Sequence, residues 1–281
     1  MQDVALTWQQ AGCLTAGLAA VSTALSVSTA RRLRAAAPFA RETTMIAGLY
    51  ALWQLAGTLS VVGTAGAFSR AEWIERTERA WHLPSEADLQ RSVTGHSSFL
   101  SHVANLYYAT MHFGVLFVFL LWLFLRHRER YRRVRRVLAL TTLVCLLVQL
   151  LPVAPPRLLS GYGYVDTAAR YGESVYNLGL GADALSAMPS VHVAWAVLIG
   201  WTTLTLGRGP GRWLGPLHAL LTALVVVVTA NHFWADGLVA VAVLIACTGL
   251  ERLGRAAVAA WAERQPAPVG LRPEPNEAIL R

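Results

Sequence analysis

Three short elements carry groups able to do chemistry, each set beside proline or at the edge of an apolar run. In residues 154–157 (APPR) an apolar stretch ends in prolines that cannot continue a helix, and Arg157 lies just beyond them. A guanidinium held there is a bidentate phosphate ligand that cannot lose its charge, and the position equally suits an arginine snorkelling to a membrane surface. Residues 187–195 (AMPSVHVAW) place Pro189 as the first residue of a helix and Ser190 within its first turn. The unpaired N–H groups of that end and the Ser190 hydroxyl make an anion cradle. His192, in the same turn, can hand a proton to a leaving oxygen, although a histidine at a membrane helix end is also a common interfacial residue. Residues 231–236 (NHFWAD) set His232 and Asp236 four apart, on one face of a helix beginning there. A carboxylate accepting from one imidazole nitrogen fixes the tautomer and frees the other nitrogen to attack, while an ion pair sealing the helix end is the plainer alternative. The fourteen residues after Asp236 (GLVAVAVLIACTGL) are uncharged, so a carboxylate at their head is costly unless it has a partner and a task.

Elements that hold such groups must be membrane helices. The 281 residues are 55% hydrophobic and 14% charged, with mean hydropathy +0.44, too apolar for a soluble domain of this length. The net charge is +8 and every one of the 24 basic residues is arginine. These arginines sit in short runs between apolar segments, as in cytoplasmic loops, which argues against nucleic acid as a partner. Cys13, Cys145 and Cys247 are scattered through apolar stretches and imply neither a disulfide nor a metal framework. The N-terminus lacks the marks of a cleaved signal peptide, so the first apolar stretch is expected to stay.

Apolar segments near 10–29, 43–65, 103–125, 137–153, 188–206, 213–231 and 234–250 predict an all-α polytopic transmembrane bundle of six or seven spans, the first being the weakest. Arginine excess alternates with each crossing: residues 31–41, 126–136, 208–212 and the tail from Arg252 fall on the cytoplasmic side. The three chemical elements then share the extracytoplasmic face of the plasma membrane. Residues 66–102 mix charges with apolar residues at helical spacing, predicting helices on the membrane surface before the third span or a solvated helical hairpin. The tail beyond Trp261 is rich in proline and charge, and disorder is expected there. The expected organisation is N-terminal spans over 1–65, a catalytic membrane domain over 66–250 and a cytoplasmic tail over 251–281. No internal repeat suggests a duplicated transporter.

Together the three elements resemble the type 2 phosphatidic acid phosphatase superfamily, and more narrowly its inositol phosphotransferase branch, which contains inositol phosphorylceramide synthase. Arg157 stands for the arginine of the first superfamily element, Ser190 and His192 for the second, and His232 with Asp236 for the third. The lysine of the first element has no counterpart, and the Ser-Arg pair of the third falls among Val225, Val226, Val227 and Val228 and is missing. Asn231, Thr229 or loop residues are left to supplement the phosphate ligands. The branch forms APPR, AMPS-x-H and NH-x-x-x-D fit better, as do Asn105, Tyr108, His112 and Phe113 on an earlier span. The resemblance covers roughly residues 66–250.

What it implies is a lipid phosphatase or phosphotransferase without cofactor. Neutral His232 attacks phosphorus and forms a phosphohistidine, Asp236 stabilises the imidazolium, and His192 protonates the departing oxygen. Arg157, Ser190 and Asn231 hold phosphate oxygens. Transfer to water makes a lipid phosphate or prenyl diphosphate phosphatase; transfer to an alcohol, such as the polyol inositol, makes a transferase. Tyr164 and Asp166 are candidates for acceptor or headgroup contacts. No metal is implied, since Asp166, Glu173 and Asp183 lack ligand spacing. A metal-dependent alcohol phosphotransferase is the enzymatic rival, but DTAARY misses its Asp-Gly-x-x-Ala-Arg signature. In a transporter or channel the same ionisable residues would line a pathway at different depths rather than meet at one surface.

Overall fold

The computed structural model describes residues 7–60, 65–95, 97–173 and 185–264. Among them the regular secondary structure is helical apart from one isolated β-bridge between Val153 and Ser186. The helices are α1 (Trp8–Val27), α2 (Arg31–Ser60), α3 (Ala67–Ala80), α4 (Glu86–Thr94), α5 (Ser98–Arg126), α6 (Arg128–Gln149), α7 (Thr167–Tyr171), α8 (Val191–Leu206), α9 (Leu214–Val228) and α10 (Trp234–Arg264). Each of the seven apolar segments holds one helix, α1, α2, α5, α6, α8, α9 and α10 in turn, though several segments begin or end outside it in turns and loops; residues 61–64, at the end of the second, lie outside the described residues. Four stretches, Trp8–Val27, Ser98–Arg126, Pro210–Val228 and Trp234–Arg264, are long and apolar enough to cross a membrane, and Val191–Leu206 is a shorter apolar helix. Helices α2 and α6 open in arginine-rich turns that lower their mean hydropathy.

Helices α5, α6, α8, α9 and α10 pack around one another, α1 pairs with α2, and α2 leans on α6. The Glu42 carboxylate of α2 accepts from the Tyr131 hydroxyl at 2.9 Å and pairs with Arg135. Helices α8 and α9 touch backbone to backbone at Gly200 and Gly215. A Cβ on Gly215 would sit 1.9 Å from the Thr203 hydroxyl and 3.1 Å from the Gly200 Cα, so only glycine permits this approach. The 66–102 region forms two helices, α3 and α4, packed on α10 and on α9 and α5. The face of α3 that is buried consists of Ala67, Ala71, Ile74, Glu75 and Glu78, one helical stripe that includes two carboxylates.

Helix α10 is longer than the sequence reading allowed. Instead of giving way to a tail at residue 251 it runs to Arg264, because residues 251–264 are good helix formers without proline and Glu251 pairs with Arg255 one turn on, at 3.0 Å. The proline-rich stretch 265–281, where disorder is expected, lies outside the described residues, as does Asp183.

Candidate functional site

The site forms where three irregular segments meet beside the first turns of α8 and α10. After α6 stops, the Val153 N–H donates to the Leu185 carbonyl (2.7 Å) and the Ala187 N–H donates to the Val153 carbonyl (3.1 Å). This zips the APPR segment to the one preceding α8. The Arg157 N–H donates to the Ala230 carbonyl at 2.9 Å, tying the same segment to the α9–α10 connection. That connection reverses sharply. Ala230 takes the left-handed conformation (φ 51°), and the N–H groups of Asn231 and His232 both donate to the Val226 carbonyl, at 3.0 and 3.1 Å. The turn folds His232 back toward the start of α8.

Two local expectations need correction. Helix α8 begins at Val191 rather than at Pro189, with Ser190 as its N-cap: the Ser190 hydroxyl accepts from the Val193 N–H at 3.4 Å, and the extended backbone of a cap (ψ 100°) ends the helix there. Likewise α10 begins at Trp234, so His232 precedes it instead of sharing its face with Asp236. The two side chains still meet, because Asp236 turns back over the helix start. Its Oδ2 accepts from the Phe233 N–H at 2.9 Å and lies 3.3 Å from His232 Nδ1.

His232 Nδ1 has a nearer partner, the Ala187 carbonyl at 2.7 Å. A carbonyl can only accept, so Nδ1 carries the proton and Nε2 keeps its lone pair. Nε2 is buried and meets no hydrogen-bond partner among the described residues. Burial pushes the imidazole down to about 4, partly offset by its bond to Ala187, with the Arg157 charge lowering it further; the ring is neutral at ordinary pH. The neutral, singly protonated imidazole with a bare Nε2 is the form able to act as a nucleophile.

The ring of His232 lies 5.8 Å from that of His192, well inside the ten ångströms beyond which the two could not serve one reacting atom. His192 in turn packs against His112 at 3.8 Å and meets the edge of Tyr108 at 5.0 Å. Three histidines from α5, α8 and the α9–α10 turn therefore form a continuous row. Arg157 is buried, and its Nε pairs with Asp166 Oδ2 at 3.2 Å. Asp166 also caps α7, accepting from the Ala169 N–H at 2.8 Å, so it restrains the guanidinium from behind.

Other sequence candidates are engaged elsewhere. The Asn231 amide donates to the Thr229 hydroxyl at 2.9 Å. Asn105 bridges the outer loops, donating to Glu173 at 2.8 Å and accepting from Thr167 at 3.0 Å, while Glu173 also pairs with His102. The Tyr164 hydroxyl donates to Glu75 at 2.5 Å.

What the motifs did not reveal is an acidic cluster under the site. Glu75, Glu78 and Glu86 are each at most 4% exposed and offer oxygens within 4.8 Å of one another, a spacing that could hold a cation or a shared proton. Residues 66–102 read as mixed charge, and only the place of Glu75 and Glu78 in the α3 stripe signals burial, Glu86 being the first residue of α4. An apolar cavity of about 170 Å³ is lined by Tyr50, Phe113, Leu116, Leu146, Val191 and Trp195, of which Phe113 and Val191 are the chain neighbours of His112 and His192.

No match was found among curated proteins or among solved structures. The family model of the PAP2 superfamily, the type 2 phosphatidic acid phosphatases, matches residues 72–250, which include Arg157, Ser190, His192, His232 and Asp236, and the chain therefore belongs to that superfamily.

Proposed function

We propose that this protein is a membrane phosphotransferase or phosphatase that works on a lipid phosphate or phosphodiester at the extracytoplasmic face, through a phosphohistidine on His232. The bare, buried Nε2 of His232, with its tautomer set by the Ala187 carbonyl, is the observation that carries this reading. Nε2 attacks phosphorus in line with the leaving oxygen; the N–P bond forms as the P–O bond breaks. The Nδ1 proton stays on the ring, and the positive charge that develops is met by the Ala187 carbonyl and Asp236. His192 delivers a proton to the departing oxygen. Arg157 and the N–H groups at the Ser190-capped start of α8 stabilise the charge growing on the non-bridging oxygens. Water or an alcohol, deprotonated by His192, then takes the phosphoryl group or substituted phosphoryl group from His232.

Several features support a lipid over a soluble ester. The apolar cavity beside Val191 and Trp195 gives a hydrocarbon chain a place next to His192, and the apolar helices suit a bilayer. The count of seven crossings, which puts APPR, AMPSVHV and NHFWAD on one outer surface, is part of the same proposal. So is transfer to a polyol such as inositol, which rests on the branch forms of the three motifs.

The test is to incubate purified protein with labelled phosphatidylinositol, phosphatidic acid and prenyl diphosphates, with and without inositol. Turnover of at least one lipid by the wild type, and none by His232→Ala with an unchanged melting profile, is expected. Normal turnover by that variant would falsify the mechanism. Product identity separates hydrolysis from transfer.

A further inference from the structure

Beneath the site, the first turn of α10 has three N–H groups with no partner inside the helix, and each donates to a carboxylate. Phe233 N–H donates to Asp236 at 2.9 Å, Trp234 N–H to Glu86 at 3.3 Å, and Ala235 N–H to Glu78 at 2.6 Å. Asp236 belongs to the turn itself, whereas Glu78 and Glu86 come from α3 and α4. The latter two therefore fix how α10 begins relative to the rest of the site. Since Asp236 sits one residue beyond Ala235, a shift of the Ala235 amide moves the carboxylate that faces His232.

The charges around this turn do not balance with every carboxyl ionised. Glu75, Glu78, Glu86 and Asp236 crowd together. Arg79 pairs with Glu75 at 2.7 Å, and the neutral Tyr164 hydroxyl donates to Glu75 and, at 3.4 Å, to Glu86. Glu78 Oε2 is buried with no bond to any described residue unless Glu78 carries a proton, in which case Glu86 accepts it. Burial first, then the hydrogen bond and charge of Glu86, with a smaller push from Asp236, raise the Glu78 carboxyl to about 9.

We propose that Glu78 and Glu86 share one proton and act as positioning residues for the reaction, clamping the first-turn amides of α10 so that Asp236 stays aimed at His232. The inference rests on the phosphohistidine reading and adds to it a carboxyl pair that never touches substrate. Its elements are the two cross-segment bonds to Trp234 and Ala235 and the close approach of the two carboxyls. Glutamine at position 78 keeps both contacts, its oxygen accepting from Ala235 and its amide donating to Glu86. Alanine keeps neither.

Turnover is followed on whichever of phosphatidic acid, phosphatidylinositol or prenyl diphosphate the wild type processes fastest, normalised to folded protein. Glu78→Ala is expected to lower kcat 10- to 100-fold, on the order of one or two lost hydrogen bonds at a positioned group, with KM within about 3-fold. Glu78→Gln is expected to stay within about 3-fold of wild type. The wild type should also lose kcat as pH rises through about 9, when Glu78 ionises beside Glu75, Glu86 and Asp236, and Glu78→Gln should lack that alkaline limb. Wild-type kcat in Glu78→Ala overturns the proposal. So does an alkaline limb that persists in Glu78→Gln, a result that decides the matter even where the alanine variant fails to fold. Activity lost on EDTA treatment and restored by magnesium or calcium, with Glu78→Gln as damaging as alanine, would show that the cluster holds a cation instead. His232→Ala run in parallel keeps the two readings apart: if it is active, the phosphohistidine falls; if it is dead while Glu78→Ala is normal, the clamp alone falls.

Discussion

Helix α10 buries two carboxylates, one in its first turn and one just past its middle, in contrasting company. Toward its C-terminal part, Glu251 lies 2.8 Å from Arg136, 3.0 Å from Arg255 and 3.4 Å from Arg133. Two of those arginines have side chains about half exposed, 53% for Arg136 and 45% for Arg255, so water and salt reach the cluster. In the first turn, Asp236 is fully buried and is held by the Phe233 N–H and His232 Nδ1, with its Oδ1 unbonded among the described residues. A carboxylate ringed by wet, flexible cations ties two helices together and does little else. One held by directed hydrogen bonds in a dry pocket keeps its electrostatic effect on a single neighbouring ring, and that is what transition-state stabilisation requires.

The sharpest way to break this contrast is Asp236→Asn. The asparagine oxygen can take the place of Oδ2, which both accepts from Phe233 and faces His232 Nδ1, and its amide takes the place of the unbonded Oδ1, so what the variant loses is the negative charge that meets the imidazolium. Without that charge kcat should fall by about 10²- to 10³-fold while the fold is kept. Measurement of kcat together with trapping of the phosphohistidine checks this: a variant that forms the intermediate at the wild-type rate would remove Asp236 from the chemistry.

Next in size is Arg157→Lys, which keeps the charge and loses the fork. The lysine ammonium cannot hold Asp166 and two phosphate oxygens in one plane. A loss of about 10- to 100-fold in kcat/KM is expected, short of the roughly 10²- to 10³-fold seen when a transition-state donor is removed outright. Asp166→Asn should reproduce part of it, because the α7 cap survives while the restraint on the guanidinium weakens. If Arg157→Lys is silent, the arginine is a surface anchor, the alternative that its sequence position equally allowed.

Much of this arrangement could be read from residue order. Apolar runs separated by arginine clusters located the helices, and proline, serine and histidine spacing found the three segments that meet at His232. Long-range partners were the illegible part. The Ala187 carbonyl that sets the His232 tautomer is a backbone atom, invisible to a motif, and it reaches the ring only because the bridge between residues 153 and 186 aligns two loops. Glu78 and Glu86 looked like solvated charges because residues 66–102 are polar overall; their burial follows from α3 lying on α10 and α4 lying on α9 and α5. The exact starts of α8 and α10 moved by two residues because a serine cap and a reversed aspartate, rather than proline and histidine, close the helix ends. The end of α10 was misplaced for the opposite reason: apolarity stops near Leu250, but helix propensity continues to Arg264.

The smallest effect on turnover, and the control for the comparison, belongs to Glu251→Gln. Neutralising Glu251 leaves Arg133, Arg136 and Arg255 facing one another with one fewer acceptor, so the contact between α6 and α10 weakens. Partial exposure of the arginines limits the loss to about 1 kcal/mol, seen as a lower melting temperature in detergent. The arginines repel one another in the variant, and salt screens that repulsion over about 10 Å at 0.1 M, so the gap from wild type should narrow as salt rises. Turnover of folded protein should not change, because the cluster lies about 25 Å along the helix from its first turn. If Glu251→Gln instead altered kcat as strongly as Glu78→Ala, the two ends of α10 would be coupled, and rigidity of the whole helix rather than the clamp on its first turn would be what aims Asp236.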